Sequence, residues 1–289
     1  WKRIKAIEMI NDSKKYLSDF AKDLKAPDVE MKVIALGLGM QSTALYMMSS
    51  LGEFERADVA IFSDPMAEHQ KTDELLDCLL DWQKKNNGVP IEVVSTNLYQ
   101  DILDGVNKNG HTFVSIPAFG KDKIIKRQCT YDYKIEPVEK KVRELYGLKK
   151  RQRMPMTEMW LGITIDESQR MKLSRKPRIV NRYPFLELMM NRSDCMSYME
   201  KNGFPVPIKS ACVFCPFHSD AQWKDIKLNY PKEWEKCLKI DKAIRDTAFK
   251  SGKSEPVYLH QSLKPLEEVD LNENQIDMFN DECEGHCGL

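Results

Sequence analysis

Long apolar runs are missing from this sequence, and none approaches the roughly 20 residues that a membrane-spanning helix needs. No charged segment followed by an apolar one opens the chain, so no secretory signal is visible. Trp1 is not a translation start, and we expect the true N-terminus to lie upstream. Internal repeats and low-complexity tracts are also missing. These absences predict a soluble, cytoplasmic protein with no membrane partner.

Neither sign of charge is in excess, because 44 Lys and Arg residues balance 44 Asp and Glu residues. A balanced chain is a poor candidate for a non-specific nucleic-acid coat, yet it permits a local basic groove. Segments 121–127 and 170–182 could form such a groove, although a run of charge is more often a solvated face. The 289 residues, 42% of them hydrophobic, suffice for one large core or one core with an appendage.

Cysteine is too sparse for a disulfide scaffold, since the chain has only eight. Two pairs nevertheless lie close together in sequence, Cys212 with Cys215 and Cys283 with Cys287. In a chain with no visible secretory signal, such pairs point to reduced thiols, metal binding or catalysis. Three further cysteines fall within helical patterns and are predicted to be small core residues: Cys78, Cys195 and Cys237.

Short apolar runs alternate with long helical patterns, which predicts an α/β fold. The predicted strands begin at 33, 59, 91 and 159. This alternation favours a Rossmann-like, mostly parallel sheet with helices on both faces. We expect an N-terminal helical segment over 1–27, a nucleotide-binding α/β domain over 28–190, and a C-terminal helical, metal- or cluster-binding region with its tail over 191–289.

The first predicted strand breaks at Gly37 and Gly39, and a helical pattern opens directly afterwards. A strand, a tight glycine turn and a helix N-terminus present free backbone N–H groups, and glycine lets an anion approach them. The turn is therefore a candidate phosphate site, although the same pattern also occurs in turns that bind nothing. Its further candidate ligands are Gln41, Ser42 and Thr43.

Polar residues follow two other strands, at the edge where open α/β sheets bind their ligands. Asp64 and Glu68 follow the second strand and are either ligand-binding carboxylates or caps of the next helix. Arg170 and Lys172 follow the fourth strand and are candidate phosphate or sulfate clamps.

A long segment, 105–153, separates the third and fourth predicted strands and is a candidate lid or binding loop. Cys129 lies within it, close in sequence to Lys123, Lys126 and Arg127. Positive neighbours of this kind favour a thiolate, which makes Cys129 a candidate ligand.

The C-x-x-C loop at Cys212 and Cys215 is followed by Pro216, and its spacing turns both sulfurs toward one centre. A structural zinc site is one interpretation. An iron–sulfur cluster is the other, and it needs further thiolates from Cys129 and from Cys283 or Cys287.

From about residue 33 to its C-terminus, the chain resembles the PAPS reductase family of the adenine-nucleotide α-hydrolase-like (PP-loop) superfamily. The similar motifs occur in the family's order: the turn 37–43, the acidic strand end 63–72, the segment 162–170 that starts at Gly162, and Cys212-x-x-Cys215-Pro216. Cluster-containing members carry a Cys-Cys pair before the C-x-x-C, where this chain has Cys129 and Thr130. Gln41 stands where ATP-cleaving members have an Asp, and reductases of sulfonucleotides also tend to lack this Asp.

The resemblance implies sulfonucleotide reduction as the leading function. PAPS or APS would place a phosphate on the turn 37–43 and its adenosine near Asp64. A tail thiol, Cys287 or Cys283, would attack the sulfur, and an external thiol reductant would release the product. A [4Fe–4S] cluster would be held by Cys129, Cys212, Cys215 and a tail residue such as Cys283.

Two alternatives remain open. The first is an ATP-dependent sulfur transferase that acts, with a sulfur-donor protein, on nucleic acid or on a small molecule. The second is a zinc-stapled nucleotide-binding module without catalysis. Gln41 argues against the first alternative. As partners we also expect a second copy of the chain or a larger assembly.

Overall fold

A five-stranded parallel sheet forms the centre of the computed structural model, which describes residues 15–271. The strand order is β3-β2-β1-β4-β5, and all four pairings are parallel. The predicted α/β fold with a mostly parallel sheet is therefore confirmed. The strands are β1 (Met31–Ala35), β2 (Val59–Asp64), β3 (Ile91–Ser95), β4 (Thr157–Trp160) and β5 (Ile179–Arg182).

Helices fill the connections between the strands and most of the chain after β5. Residues 15–23 are helical and are labelled α1. None of the helices between residues 15 and 271 combines the length and apolarity that crossing a membrane requires. The others are α2 (Met40–Leu51), α3 (Gln70–Asn86), α4 (Leu98–Leu103), α5 (Glu136–Leu145), α6 (Pro184–Glu187), α7 (Arg192–Lys201), α8 (Asp220–Asn229) and α9 (Pro231–Lys250), with a π-helix at Tyr131–Ile135 and 3₁₀-helices at Ile165–Arg170 and Leu266–Glu268.

Different helices cover the two faces of the sheet. Alternate residues of a strand point to opposite faces, so neighbouring residues of β1 pack against different helices. Ile34 packs into a core with α2 and α7, and Val33 packs into a core with α5. Helices therefore lie on both faces, as predicted. Both residues of β1 are fully buried, which explains why this strand reads as a continuous apolar run.

Strand β5 is absent from the sequence prediction. Its second half is polar, with Asn181 and Arg182, yet both side chains are buried. Asn181 donates from Nδ2 to the Lys172 carbonyl oxygen at 2.9 Å, and Arg182 is surrounded by carboxylates. Tertiary partners thus allow a strand that an apolar pattern does not reveal.

Arg182 is the centre of a buried charge network and is 1% exposed. Its guanidinium lies 2.7 Å from Glu55, 3.3 Å from Glu158 and 2.7 Å from Glu187. It also lies over the ring of Trp160, 5.0 Å from the centroid. Hydrogen bonding to Arg182 holds the pKa of Glu55 well below its usual range. The network connects β4, β5, α6 and the loop after α2.

A third apolar core joins the region between β3 and β4 to the C-terminal helices. Val114, Ile116 and Ala118 share it with residues of α4, α8 and α9. This part of the predicted lid 105–153 is therefore packed rather than free. The predicted domain boundaries stay a prediction, although α7, beyond the predicted boundary at 190, packs on α2.

Candidate functional site at the carboxyl edge of the sheet

The turn between β1 and α2 presents an uncapped helix N-terminus. No side chain caps α2 at Gly39, and its first turn contains no acidic residue. Leu38 adopts a φ of 55° although it carries a side chain, and it is 1% exposed. Such backbone strain costs roughly 1–2 kcal/mol and is typical of functional sites. The positive end of the α2 dipole thus faces the sheet edge with no acidic residue in the first turn of the helix itself, which suits an anion.

Gly162, in the loop after β4, closes one side of this turn. A Cβ atom at Gly162 would lie 2.9 Å from the Ser42 nitrogen and 3.0 Å from the Gln41 carbonyl carbon. The two loops therefore touch between β1 and β4, at the topological switch point where open α/β sheets bind ligands. The Ser42 hydroxyl accepts from the Gly37 N–H at 3.2 Å and donates to the Gly39 carbonyl at 3.1 Å, so it also shapes the turn.

Four buried polar atoms around the turn have no hydrogen-bond partner within residues 15–271. They are Gln41 Oε1, Thr43 Oγ1, Thr164 Oγ1 and Ser210 Oγ. All four residues are at most 1% exposed. A buried polar group without a partner costs about 1–3 kcal/mol. A polar ligand at this turn would pair such groups.

The predicted clamp residues have different environments. Arg170 Nη1 donates to Glu167 Oε1 at 3.0 Å, and Glu167 Oε2 accepts from Gln41 Nε2 at 3.0 Å. Arg170 is thereby linked to the phosphate turn through Glu167. Lys172 is exposed, and its backbone carbonyl accepts from the Tyr183 hydroxyl at 2.5 Å. The structure thus brings Arg170 close to the turn and leaves Lys172 at the surface.

A pocket opens beside the turn, between the sheet and α5. Its cavity volume is about 110 Å³. Its walls are apolar where Ile61, Met159 and Val138 line it, and its rim carries Lys134 and Arg175. An apolar slot with a cationic rim suits an aromatic base joined to phosphate.

Carboxylates follow β2 at the same edge. Burial, with a contribution from Glu68, raises the pKa of Asp64 above its usual value. Burial and the charges of Asp64 and Glu68 raise the pKa of Asp73 to about 6. Glu68 is 5% exposed and forms an ion pair with Lys134 at 2.9 Å. Burial is the largest cause of both raised pKa values, and the neighbouring carboxylates add to it.

The helix-cap interpretation of Asp64 and Glu68 is wrong. His69 caps α3, and its Nδ1 accepts from the Lys71 N–H at 3.1 Å. Asp64 instead accepts from the Met66 N–H at 2.7 Å, inside the loop after β2. Both carboxylates belong to the sheet edge rather than to the helix.

The Cys212/Cys215 turn lies against this loop. Cys212 forms an antiparallel bridge with Glu68, and the Val213 N–H donates to the Ala67 carbonyl at 2.8 Å. The Cys215 N–H donates to the Cys212 carbonyl at 2.8 Å, which closes the turn. The predicted pair of thiols is therefore beside the carboxyl edge of the sheet.

His218 supports this turn from within. Its Nε2 lies 3.0 Å from the Cys212 carbonyl oxygen and 3.1 Å from that of Val213. Both neighbours are acceptors, so Nε2 carries the hydrogen and donates. Burial lowers the pKa of His218 to about 4, and the ring is neutral at pH 7.

Cys129 lies two residues before the π-helix, a rare conformation that is frequent at functional sites. The π-helix lines the pocket through Tyr131 and Lys134. Cys129 and Cys212 pack against the same apolar core. The ion pair of Lys134 with Glu68 further ties the Cys129 segment to the Cys212 segment.

Within residues 15–271, no three His, Cys, Asp or Glu side chains are gathered closely enough to hold a metal ion. Cys283 and Cys287 lie outside the described residues, so the tail thiols and the fourth ligand stay predictions. Cys195 and Cys237 are buried as predicted. Cys78 is exposed, because α3 buries only a narrow stripe of its surface.

Three residues of this edge have no predicted role: Lys134, Glu167 and Ser210. Lys134 and Glu167 lie inside segments that contain predicted motifs, but nothing in the sequence distinguishes their charges from the other charges there. Ser210 offers no signal of its own, since a serine before a cysteine loop is ordinary.

Fold and site together define a doubly wound, parallel α/β protein with its pocket at the carboxyl edge of the sheet. No protein-family model matches the chain, and no curated protein matches it. A solved structure similar in outline is the U34-tRNA thiolase NcsA from Methanococcus maripaludis with its [4Fe-4S] cluster. The TM-score is 0.39 at 11% identity, over 95% of this chain and 87% of that chain. A likeness of this size carries no argument, and the resemblance to PAPS reductases is not confirmed.

Proposed function

We propose that this chain is an ATP-dependent sulfur transferase. The observation that carries the proposal is the N-terminus of α2, which no residue of 15–271 caps, with the Thr43 hydroxyl beside it that no residue of this range pairs, and the adjoining pocket. ATP would place its phosphates on the turn 37–43, near Gly37, Gly39 and Ser42. Its adenosine would occupy the pocket between the sheet and α5.

The carboxylates favour ATP over a sulfonucleotide. Asp64 and Asp73 have raised pKa values, and Glu167 reaches the turn through Gln41. A magnesium ion that travels with the pyrophosphate of ATP would relieve this negative charge. A sulfonucleotide that binds without a metal ion would bring no such cation. Glu167 supplies a carboxylate beside Gln41, which stands at the position where ATP-cleaving PP-loop enzymes have an Asp.

The chemistry needs two displacements. An acceptor carbonyl oxygen attacks the α-phosphorus of ATP, and pyrophosphate leaves with the electrons of the broken P–O bond. Hydrosulfide then attacks the activated carbon, and AMP leaves with the former carbonyl oxygen. C=O becomes C=S, one proton is released, and nothing is oxidised or reduced. The α2 N-terminus contributes by stabilising the charge that develops on the phosphates.

The cysteine thiols near this edge support a sulfur-transfer reaction there. Cys212 is joined to the loop after β2, and Cys129 precedes the π-helix that lines the pocket. A [4Fe–4S] cluster or a zinc ion on Cys129, Cys212, Cys215 and Cys283 stays a prediction. Among residues 15–271, the thiols are not gathered into one metal-holding group.

An anionic acceptor, of which nucleic acid is the leading candidate, fits the surface next to the cysteine turn. The Arg127 guanidinium lies over the Phe217 ring, 5.8 Å from its centroid. Arginine side chains contact nucleic-acid phosphates, and the buried Phe217 ring supports the Arg127 guanidinium from the protein side. Segment 121–127, rich in lysine, continues this surface.

Sulfonucleotide reduction is the second candidate, and Arg170 favours it. This guanidinium is linked to the phosphate turn through Glu167, where a sulfate or second phosphate would be bound. The nucleophile of this reaction, Cys287 or Cys283, lies outside the described residues.

Product analysis separates the candidates. The anaerobically purified chain is incubated with radiolabelled sulfide, magnesium, total cellular RNA and either ATP or PAPS. We expect pyrophosphate, AMP and labelled RNA with ATP, and no sulfite with PAPS. Cys212→Ala should keep the ATP affinity and lose the labelled product. Sulfite release would favour the reductase, whereas nucleotide binding without turnover would favour the zinc-stapled module.

A further inference from the structure

Ser210 lies where the cysteine segment meets the phosphate turn. A Cβ atom built on Gly39 would lie 3.7 Å from the Ser210 Cβ atom, which is van der Waals contact distance. Ser210 is 1% exposed, and its hydroxyl has no hydrogen-bond partner within residues 15–271. The cysteine segment therefore brings to the N-cap of α2 a buried donor that no described residue pairs.

The surroundings of Ser210 restrict what its hydroxyl can bind. The adjacent Gly39 carbonyl already accepts from the Ser42 hydroxyl at 3.1 Å and from the Thr43 N–H at 3.0 Å. The backbone on the other side is held by the bridge of Cys212 with Glu68. The hydroxyl is thus fixed beside a helix N-terminus that attracts negative charge, and an anion is the acceptor that this position favours.

We propose that Ser210 is a phosphate-binding residue of the nucleotide site. Its hydroxyl donates to a phosphate oxygen held at the α2 N-terminus, opposite the Thr43 hydroxyl. Because Ser210 is two residues before Cys212, nucleotide binding also orders the cysteine turn. This inference rests on the proposed nucleotide-binding function and adds a ligand from a segment outside the phosphate turn.

Calorimetric titration of the full chain with ADP and with adenosine tests the contact. Ser210→Ala should weaken ADP binding about tenfold, since a hydrogen bond to a charged group is lost, and should leave adenosine binding unchanged. Adenosine binding also reports that the variant is folded. Ser254→Ala, at an exposed position, is the matched control and should bind ADP as the parent does.

Hydrogen exchange tests the coupling to the cysteine turn. ADP should slow amide exchange over 209–218 in the parent, and adenosine should not. Ser210→Ala should lose this protection even at saturating ADP. A Ser210→Ala protein with parental ADP affinity, or with intact protection, would overturn the inference alone. A parent that binds neither ADP nor ATP would instead overturn the proposed function.

Discussion

Two buried polar clusters lie on the same sheet and differ in one respect. Around Arg182, every carboxylate of the network faces the guanidinium, which is 1% exposed. Around the turn 37–43, Thr43 and Ser210 bury hydroxyls that no described residue pairs. Arg182, Glu158 and Glu187 are buried, as Thr43 and Ser210 are, so burial does not distinguish the two clusters.

The difference lies in where the missing interactions would come from. A cluster whose charges pair with one another stabilises the folded chain without any further component. A cluster with unpaired donors next to a helix N-terminus is completed by something that the chain does not supply. The first arrangement is structural, and the second is that of a binding site. Substitutions in the two clusters should therefore affect different measurements.

The largest effect is expected from Arg182→Met. Removing the guanidinium leaves Glu158 and Glu187 buried without their partner, which costs about 3–5 kcal/mol of the free energy of unfolding. Urea denaturation measures this loss. Lys239→Ala removes an exposed ion pair with Glu235 and should cost less than about 1 kcal/mol. If Arg182→Met and Lys239→Ala lower the free energy of unfolding equally, the Arg182 network does not stabilise the fold.

Gly162→Ala should damage binding more than stability. The new Cβ would lie 2.9 Å from the Ser42 nitrogen, so the first turn of α2 must shift. We expect ADP affinity to fall at least tenfold and stability to fall by about 1–3 kcal/mol. Calorimetry and denaturation measure the two effects. Arg182→Met, assayed where it is folded, should show the opposite pattern, and parental ADP affinity in Gly162→Ala would contradict the site.

A pair of substitutions on α2 compares a paired hydroxyl with an unpaired one. Ser49 donates to the Glu55 carbonyl at 2.9 Å and accepts from the Ala57 N–H at 2.8 Å, so Ser49→Ala should lose about 1–3 kcal/mol of stability. Thr43→Val removes a hydroxyl that pairs with no described residue. It should leave stability unchanged or higher and weaken ADP binding. Thermal melts with and without ADP measure the stability and the ADP binding of each variant. Equal destabilisation of Ser49→Ala and Thr43→Val would refute the distinction between a paired and an unpaired hydroxyl.

The smallest effect concerns the pH dependence of stability at the sheet edge. The pKa of Asp73 is raised from 3.8 to about 6, so the folded chain binds its proton more tightly than the unfolded chain does. This contribution to stability is complete below about pH 4 and is lost as the pH rises through 6. Asp73→Asn should flatten the curve of melting temperature between pH 4 and 7. Asp77→Asn, on the same helix, controls for the loss of one charge; an unchanged curve in Asp73→Asn would refute the shift.

Local patterns predicted the parts of the fold that local chemistry dictates. The apolar run before Gly37 and the helical pattern after Gly39 yield β1 and α2, and the spacing of Cys212 and Cys215 yields a closed turn. Strand β5 is not predicted, because its second half is polar and the carboxylates and the carbonyl that pair with it are distant in sequence. The prediction that Cys78 is a core residue is wrong, because helical periodicity does not show how wide the buried stripe of a helix is.

By itself, the sequence determined the parallel α/β class, the glycine turn and the cysteine turn, since each depends on neighbours a few residues apart. Only the tertiary structure decided which buried polar groups are paired. Arg182 meets Glu55, Ser210 meets Gly39 and Glu68 meets Lys134 across long stretches of chain. Hydrogen bonds and ion pairs depend on distances of a few ångströms, and such distances between remote residues are set by packing rather than by sequence pattern.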